Sequence, residues 1–239
     1  MAENEKDYTV LELQARWDKI RIANVYDALD RMGYPDQCLD LEIKPLFPHQ
    51  HLAGKVITLR GGRDPRTRED MEAEAEVGKS TPTLTSVKEL VYPGCIVVLE
   101  GGRENISGHF GEMTSWNIKQ AGCKGLVLDG RIRDWLGLEG IPDYTVCARG
   151  TSPVESYKRW RINAMNVTIA MPGTLTEQVR VDPGDWIVGG PDGVIVVPQE
   201  IAMEALVKAE DIEVGEQGMR TDMAAGMLFA DAYKKWGRA

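Results

Sequence analysis

The sequence predicts a single α/β domain, and three observations carry that reading. Short β-branched apolar runs recur through the chain, apolar residues at helical spacing mark both ends, and a strand, a Gly-rich turn, a helix and a second strand follow one another between Pro93 and Asp134. No internal repeat, low-complexity tract or Pro/Ser-rich linker interrupts the 239 residues. At about 150 residues per domain, one large domain accommodates them.

Each element follows from local pattern. Residues 10–33 mix Arg16, Ile20, Ala23, Ala28 and Leu29 with charges at helical spacing, and Gly33 offers a stop. LAGKVITLR at 52–60 alternates and is β-branched, which predicts a strand. The strongly charged stretch 61–80 predicts an insertion or flexible loop, with an exposed helical turn in EDMEAEAEV. Pro93-Gly94 turns the chain into a strand at Cys95–Leu99, Gly101 and Gly102 follow it, and a helix is predicted from Gly111 to Ala121. GLVLD at 125–129 reads as a strand with a loop Gly130–Asp134 behind it. Further strands are expected at Tyr144–Ala148, Val167–Met171, Trp186–Val188 and Val194–Val197, the last two each after a Pro/Gly turn. From Glu200 the tail 200–239 separates Glu and Lys from Ala, Leu, Ile and Met, as an amphipathic helix does.

Composition removes several function classes. Lys plus Arg number 28 against 37 Asp plus Glu, a formal charge of −9, so no nucleic-acid partner is expected, since phosphate contacts need clustered cations. No run approaches the roughly 18 apolar residues of a membrane span. MAENEKDYTV has neither a basic region nor an apolar core of a secretory signal, so a cytoplasmic location is predicted. Cys38, Cys95, Cys123 and Cys147 form no CxxC pair, and the last three adjoin apolar runs, which predicts buried thiols.

The usual catalytic signatures are absent: there is no GxSxG, HExxH, P-loop or helix-opening GxGxxG. Of three histidines, His49 and His51 fall in a loop, and His109 adjoins the Gly111-Glu112 turn as a loop or cap residue of greater interest. The informative stretch is 93–134. Two loops at the same ends of neighbouring strands would bring Glu112 to Arg133 and Asp134, where α/β proteins commonly build sites. GHFGEMT opens a helix, and unpaired N–H groups there bind anions. A helix N-terminus, an arginine and two carboxylates would hold a small carboxylate beside a hard divalent cation with oxygen ligands. The same residues also read as a surface ion pair with a capping Glu112, and spacing alone leaves both readings open. Asp129 reads as a loop-turning residue, Arg131 as solvated or reaching a distal carboxylate, and Trp116 and Trp135 as packing residues.

Six segments, in order, then resemble one family. They are VYDALDRMG at 25–33, LAGKVITL at 52–59, PGCIVVLEGG at 93–102, FGEMTSWNIKQAGCKGLVLDGRIRD at 110–134, VCARGTSP at 146–153 and PGDWIVGGPDGVIVVP at 183–198. Together they resemble the family of the regulator of ribonuclease activity A and its relatives, the 4-hydroxy-4-methyl-2-oxoglutarate aldolases, which are class II pyruvate aldolases. The resemblance implies a β/β/α sandwich of the swivelling-domain type with helices at both ends.

It also implies chemistry. In the aldolases an acid is followed, twenty residues on, by Arg-Asp; here the pattern is Glu112-x20-Arg133-Asp134, with Glu where the aldolases usually carry Asp and the regulator carries Gly. By this resemblance Asp134 binds a divalent cation, Mg²⁺ or Mn²⁺, and Glu112 holds metal-bound water. Arg133 grips the oxygen that becomes the enolate, and the turn Gly111-Glu112-Met113-Thr114 holds the substrate carboxylate through backbone N–H groups. Glu216, with Glu213 behind it, matches the acid that the family's C-terminal tail supplies to a neighbouring subunit's site. Arg149 resembles a family arginine and is read as structural. The implied activity is metal-dependent cleavage of a 4-hydroxy-2-oxo acid through a pyruvate enolate, with oxaloacetate decarboxylation at the same site. The implied assembly is a homotrimer or homohexamer. A non-catalytic binding protein like the regulator, and a related lyase or hydratase on another acid, are the alternatives. The charged segment 61–80 departs from the family's short stretch and is expected to reshape the pocket.

Overall fold

Four parallel strands form the centre of the sheet that positions everything else. The structure is a computed structural model and describes residues 5–47, 49–76, 83 and 86–237. Residues 77–80 of the charged stretch and 238–239 of the tail lie outside the described residues. The strands are β1 (Lys44–Pro45), β2 (Leu52–Arg63), β3 (Cys95–Glu100), β4 (Gly108–Phe110), β5 (Gly125–Leu128), β6 (Arg131–Ile132), β7 (Thr145–Ala148), β8 (Trp160–Met165), β9 (Ile169–Pro172), β10 (Gln178–Val181), β11 (Trp186–Gly190) and β12 (Gly193–Val197). The helices are α1 (Val10–Trp17), α2 (Ile22–Arg31), α3 (Arg68–Glu76), α4 (Glu112–Gln120), α5 (Trp135–Glu139), α6 (Ala202–Ala224) and α7 (Phe229–Trp236).

The main sheet runs β1-β7-β5-β3-β2-β11-β12, with β8 also paired to β2. β2, β3, β5 and β7 are parallel; β1, β8, β11 and β12 run against their neighbours. Residues 38–45 link the two edges: Leu39 N–H donates to Val194 O on β12, and Lys44 and Pro45 pair with β7. The period-2 pattern of the strands sorts their side chains between two faces. Val56, Ile96, Val98, Ile187, Val194 and Val196 turn to the β9–β10 hairpin, where they meet Ile169, Met171, Val179 and Val181. Ile57, Val97 and Leu99 turn the other way, onto Ile118 of α4. Trp186, Val188, Ile195 and Val197 pack on α1, α2 and α6. The predicted α/β class, with helices at both ends, is the architecture observed.

Some local expectations need correction. The stretch 10–33 is two helices. α1 ends at Asp18 and α2 restarts after Arg21, so Leu13 and Trp17 from one, and Val25 and Leu29 from the other, reach the same cluster around Trp186. Thr9 and Glu12 form a reciprocal capping box at the start of α1. The expected strand 52–60 continues to Arg63, through the bulge at Arg60/Gly61 where it meets β8. The predicted loop 130–134 contains β6, and GHF is strand β4 rather than loop. β8 and β10 were not anticipated, although QVRV at 178–181 alternates exposed and buried as a strand should. Cys95, Cys123 and Cys147 are buried thiols, as expected.

Candidate functional site

A two-stranded ladder outside the main sheet builds the site. β3 and β5 are parallel neighbours, so the chain leaves both at the same edge. The segments that follow pair with each other: Gly108 stands opposite Arg131 and Phe110 opposite Ile132. Phe110 and Ile132 are fully buried and anchor this ladder in the core around α4. Arg133 N–H donates to Phe110 O at 2.8 Å. The start of α4 and the Arg133-Asp134 pair are thereby brought together.

Gly108 is needed for that approach, since a Cβ there would lie 2.8 Å from Cβ of Arg133. Gly111 is the N-cap of α4, in extended backbone, and a Cβ on it would lie 2.5 Å from Asp134 Oδ2. The same Oδ2 accepts the N–H of Glu112 at 3.3 Å. Ser115 N–H closes the first helical bond to Gly111 O. The N–H groups of Met113 and Thr114 belong to the first turn, where no carbonyl of the helix can pair with them.

Asp134 has φ 64° and ψ 46°, the left-handed region that Asp tolerates better than most residues. It precedes α5 but makes no side-chain cap bond to it, because an N-cap side chain normally reaches the helix from the β region. Its carboxylate therefore faces Gly111 and Arg133. Arg133 Nε lies 3.5 Å from Asp134 Oδ1, and its Nη1 lies 3.9 Å from Glu155 Oε1. Both side chains are partly exposed.

These groups line one side of a cavity of about 560 Å³. Gly111, Met113 and Thr114 come from the α4 turn, and Arg133 and Asp134 from the end of the ladder. Tyr157 and Lys158 come from the approach to β8, and Trp160 and Arg161 from β8 itself. Asp64, Arg66 and Met71 come from the charged segment. Sequence reasoning missed the residues around β8, where the left-handed backbone at Lys158, φ 64°, is not visible in the residue pattern; it expected the charged segment to shape the pocket but singled out none of Asp64, Arg66 and Met71. Glu112 is adjacent but does not line the cavity. Its carboxylate packs over the backbone of α5 at Gly137, a position with no room for a Cβ.

His109 lines the cavity with a fully buried ring. Nε2 lies 2.8 Å from Glu104 Oε2, the ring stacks on Trp160 at 4.4 Å, and Nδ1 has no partner. Burial lowers the His109 pKa against the opposing pull of Glu104 and Asp129. Burial would raise Glu104, but hydrogen bonds from Ser107 and His109 outweigh it and hold that carboxyl below its ordinary value. Asp129 and Arg149 are structural: Arg149 Nε contacts Asp129 at 2.6 Å, and its other nitrogens reach Glu42 and Asp40. Arg131 is held by the carbonyl of Asn105. Trp135 packs edge-on to Phe47, and Trp116 lies against the α4-side core.

Glu216 and Glu213 lie on α6, in a cluster separate from the cavity lining. Glu216 pairs with Arg220 at 2.7 Å and accepts from Asn24 at 3.2 Å; Glu213 holds Arg220 and Asn24 as well. Among the described residues no three His, Cys, Asp or Glu side chains converge as a ready-made metal cage. Asp134 nonetheless suits a hard cation of the Mg²⁺ kind, which takes one or two carboxylates and completes its shell with water and substrate oxygens. Its carboxylate is held by backbone geometry, makes no cap bond to α5, touches α4 only through the Glu112 N–H, and borders an open cavity. Among the described residues no helix is long and apolar enough to cross a membrane.

Comparison with known proteins places the chain in a family. The chain is 28% identical over 209 residues to a Halalkalibacterium halodurans protein provisionally named 4-hydroxy-4-methyl-2-oxoglutarate aldolase, covering 87% of each chain. It is 30% identical over 190 residues to an uncharacterized protein of Methanocaldococcus jannaschii, covering 79% of this chain and 81% of that one. Its structure matches Streptomyces coelicolor RraAS2, described as an unusual member of the RNase ES inhibitor RraA protein family. The TM-score is 0.73 at 25% identity, over 88% of this chain and 98% of that one. The RraA-like model, described as Aldolase/RraA, matches residues 22–196. Those residues include the whole β3–β6 unit that carries Arg133 and Asp134, and the chain belongs to the RraA-like family.

Proposed function

We propose that this protein is a divalent-metal-dependent lyase that cleaves a carbon–carbon bond of a 4-hydroxy-2-oxo acid and leaves the enolate of pyruvate. One observation carries the reading: Asp134, fixed in left-handed backbone with no side-chain bond to the α5 it precedes, stands beside Arg133 and the first turn of α4, whose Glu112 N–H it accepts. Asp134 would hold the Mg²⁺ or Mn²⁺ ion, which when bound supplies a Lewis acid for the keto oxygen. The N–H groups of Met113 and Thr114, at the positive end of α4, receive the substrate carboxylate. Arg133 places a fixed positive charge where the enolate oxygen develops, so it binds the transition state more strongly than the ground state. Glu112 fixes Asp134 through its backbone N–H. A role for its carboxylate toward water requires a rotation away from Gly137. The same enolate forms when the departing group is CO₂, so oxaloacetate decarboxylation belongs to the same site.

We further propose a homotrimer or homohexamer in which α6 and α7 pack on a neighbouring subunit. Leu228, Phe229 and Tyr233 are exposed apolar residues available for that contact. In such an assembly Glu216 would serve the neighbour's site while sharing Arg220.

The test is pyruvate release from a panel of 4-hydroxy-2-oxo acids and from oxaloacetate, with Mg²⁺ or Mn²⁺ and again with excess EDTA. Metal-dependent release is expected. The direction of the Glu112 carboxylate favours one second reading, a binding protein without catalysis; a folded, metal-loaded sample releasing pyruvate from no member of the panel would support it.

A further inference from the structure

We propose that Lys158 and Arg161 form a subsite for a phosphate at the far end of the substrate, so that the acid cleaved here is a 4-hydroxy-2-oxo acid ending in a phosphate monoester. This rests on the oxo-acid reading above and names the substrate class for it. The relatives with an aldolase name are named for a substrate that ends in a second carboxylate, so the inference separates this chain from them.

The subsite is a turn tied into the fold. Ser156 O accepts the N–H groups of Arg159 and Trp160, each at 2.9 Å. Trp160 is buried, stacks on His109 at 4.4 Å and donates its Nε1–H to Gly101 O at 3.0 Å. Arg159 O accepts the N–H of Asp64 at 2.8 Å. The Arg159 guanidinium is spent on the turn itself, where Nη1 donates to the carbonyls of Glu155 and Tyr157 at 3.1 and 3.4 Å. Lys158 stands within this turn at φ 64°. Unlike Asp or Asn, lysine has no short polar group to bond locally in that conformation, so the turn imposes it. Lys158 is exposed and Arg161 half-buried, which puts the subsite at the cavity mouth.

Of the cations on the cavity lining, Arg66 and Arg133 are committed, and Lys158 and Arg161 are not. Arg66 holds both oxygens of Asp64 through Nε and Nη2, at 2.8 and 2.6 Å. Arg133 faces Asp134 and Glu155. Among the described residues, Lys158 and Arg161 have no carboxylate in ion-pair contact. Lys158 Nζ has the Tyr157 ring, 5.2 Å away. Arg161 uses Nε on Asn163 at 3.1 Å, and its two terminal nitrogens make no hydrogen bond. Asp64 acts on Arg161 only at longer range, from within its pair with Arg66.

A carboxylate presents one charge and two oxygens, which a single arginine can satisfy. A phosphate monoester presents up to two charges and three acceptor oxygens. That matches an ammonium and a guanidinium together, with the Ser156 and Tyr157 hydroxyls on the same stretch of lining. The cavity, at about 560 Å³, exceeds what a three-carbon head needs and falls in the ~300–1,000 Å³ range of pockets that enclose larger ligands. Cleavage of such a substrate breaks the C3–C4 bond. The C4 hydroxyl loses its proton and becomes a carbonyl, C3 keeps the electron pair and is protonated to give pyruvate, and the phosphate stays on the C4 fragment.

The experiment titrates non-cleavable 2-oxo acids, which lack the 4-hydroxyl, calorimetrically into the full-length Mg²⁺-loaded protein, at a pH where a phosphonate is dianionic. Two pairs differ only at the far end: 2-oxoglutarate against 2-oxo-4-phosphonobutanoate, and 2-oxoadipate against 2-oxo-5-phosphonopentanoate. Pyruvate reports the head site alone. The expected result, in at least one pair, is a phosphonate Kd about tenfold lower than that of its carboxylate partner. Lys158→Gln and Arg161→Gln should each raise that phosphonate Kd by about tenfold and leave pyruvate binding unchanged. Equal or tighter binding of the carboxylate in both pairs would overturn the proposal, whatever the variants do. So would a phosphonate affinity that neither substitution changes in a folded protein, because the phosphonate would then sit elsewhere in the cavity. In both cases bound pyruvate keeps the head-site reading intact. Binding of none of these acids would overturn that reading and this proposal together.

Discussion

The Asp134 carboxylate is seated against the bare Cα of Gly111: a methyl group on residue 111 would stand 2.5 Å from Oδ2. One oxygen of the proposed metal ligand is therefore positioned by the backbone of the helix whose first-turn N–H groups are proposed to receive the substrate. The β4–β6 ladder joins the segments that carry Gly111 and Asp134 and so fixes their relative position.

Asp134→Asn should separate charge from fold. Asn tolerates left-handed backbone much as Asp does, so the melting temperature should stay within about 2 °C of wild type, a stability change of roughly 0.5 kcal/mol or less. Metal-dependent pyruvate release should fall by at least about 100-fold, since the amide is a poor ligand for a hard cation. Calorimetric Mg²⁺ titration alongside the rate assay checks both halves. Full activity in this variant would remove Asp134 from the site.

Arg133→Lys keeps the charge and discards the planar fork. The expected loss is about 10- to 100-fold in kcat, with a smaller change in KM, because the guanidinium acts where charge develops. Steady-state kinetics with oxaloacetate measure it, and near-wild-type rates would argue against the enolate role.

Gly111→Ala places a methyl on the Asp134 carboxylate and exchanges a permissive N-cap for a poor one. The cap change costs about 0.5–1 kcal/mol of stability. The displaced carboxylate should weaken Mg²⁺ binding by about tenfold, read by titration. A variant that loses stability but keeps metal affinity would show that the close approach is packing alone.

The buried His109 predicts acid lability. In the unfolded chain the imidazole takes a proton near pH 6.5, whereas burial holds its folded pKa lower. Stability is therefore complete above pH 6.5 and falls as pH drops from there toward the folded pKa. Glu104, held below its ordinary value, adds a further loss at lower pH, as its carboxylate is protonated. Melting temperatures measured from pH 8 to 5 should decline in the wild type. His109→Gln, which can still donate to Glu104, should be flat between pH 7 and 6.

The sequence by itself determined the α/β class, most strands of the sheet and the spacing that sets Glu112 twenty-one residues before Arg133. These are local matters: alternation, β-branched runs and turn residues act within a few positions of the chain. It also implied that the ends of β3 and β5 would meet, because parallel neighbours leave the sheet on the same side. Tertiary structure decided the rest. Only the pairing of β4 with β6, two short strands too brief to show a period, put Asp134 against Gly111. Only the left-handed backbone at residue 134 freed its carboxylate from the helix it precedes. Packing over Gly137 turned the Glu112 side chain away from the cavity, although its charge and spacing matched the expected role. In the charged segment Arg66 pairs with Asp64 two residues away and with Glu74 on α3, and the Asp64 N–H ties the segment to Arg159 O. Composition records the charges, but which of them border the cavity is fixed by contacts between distant parts of the chain, as where the Asp64 N–H meets Arg159 O.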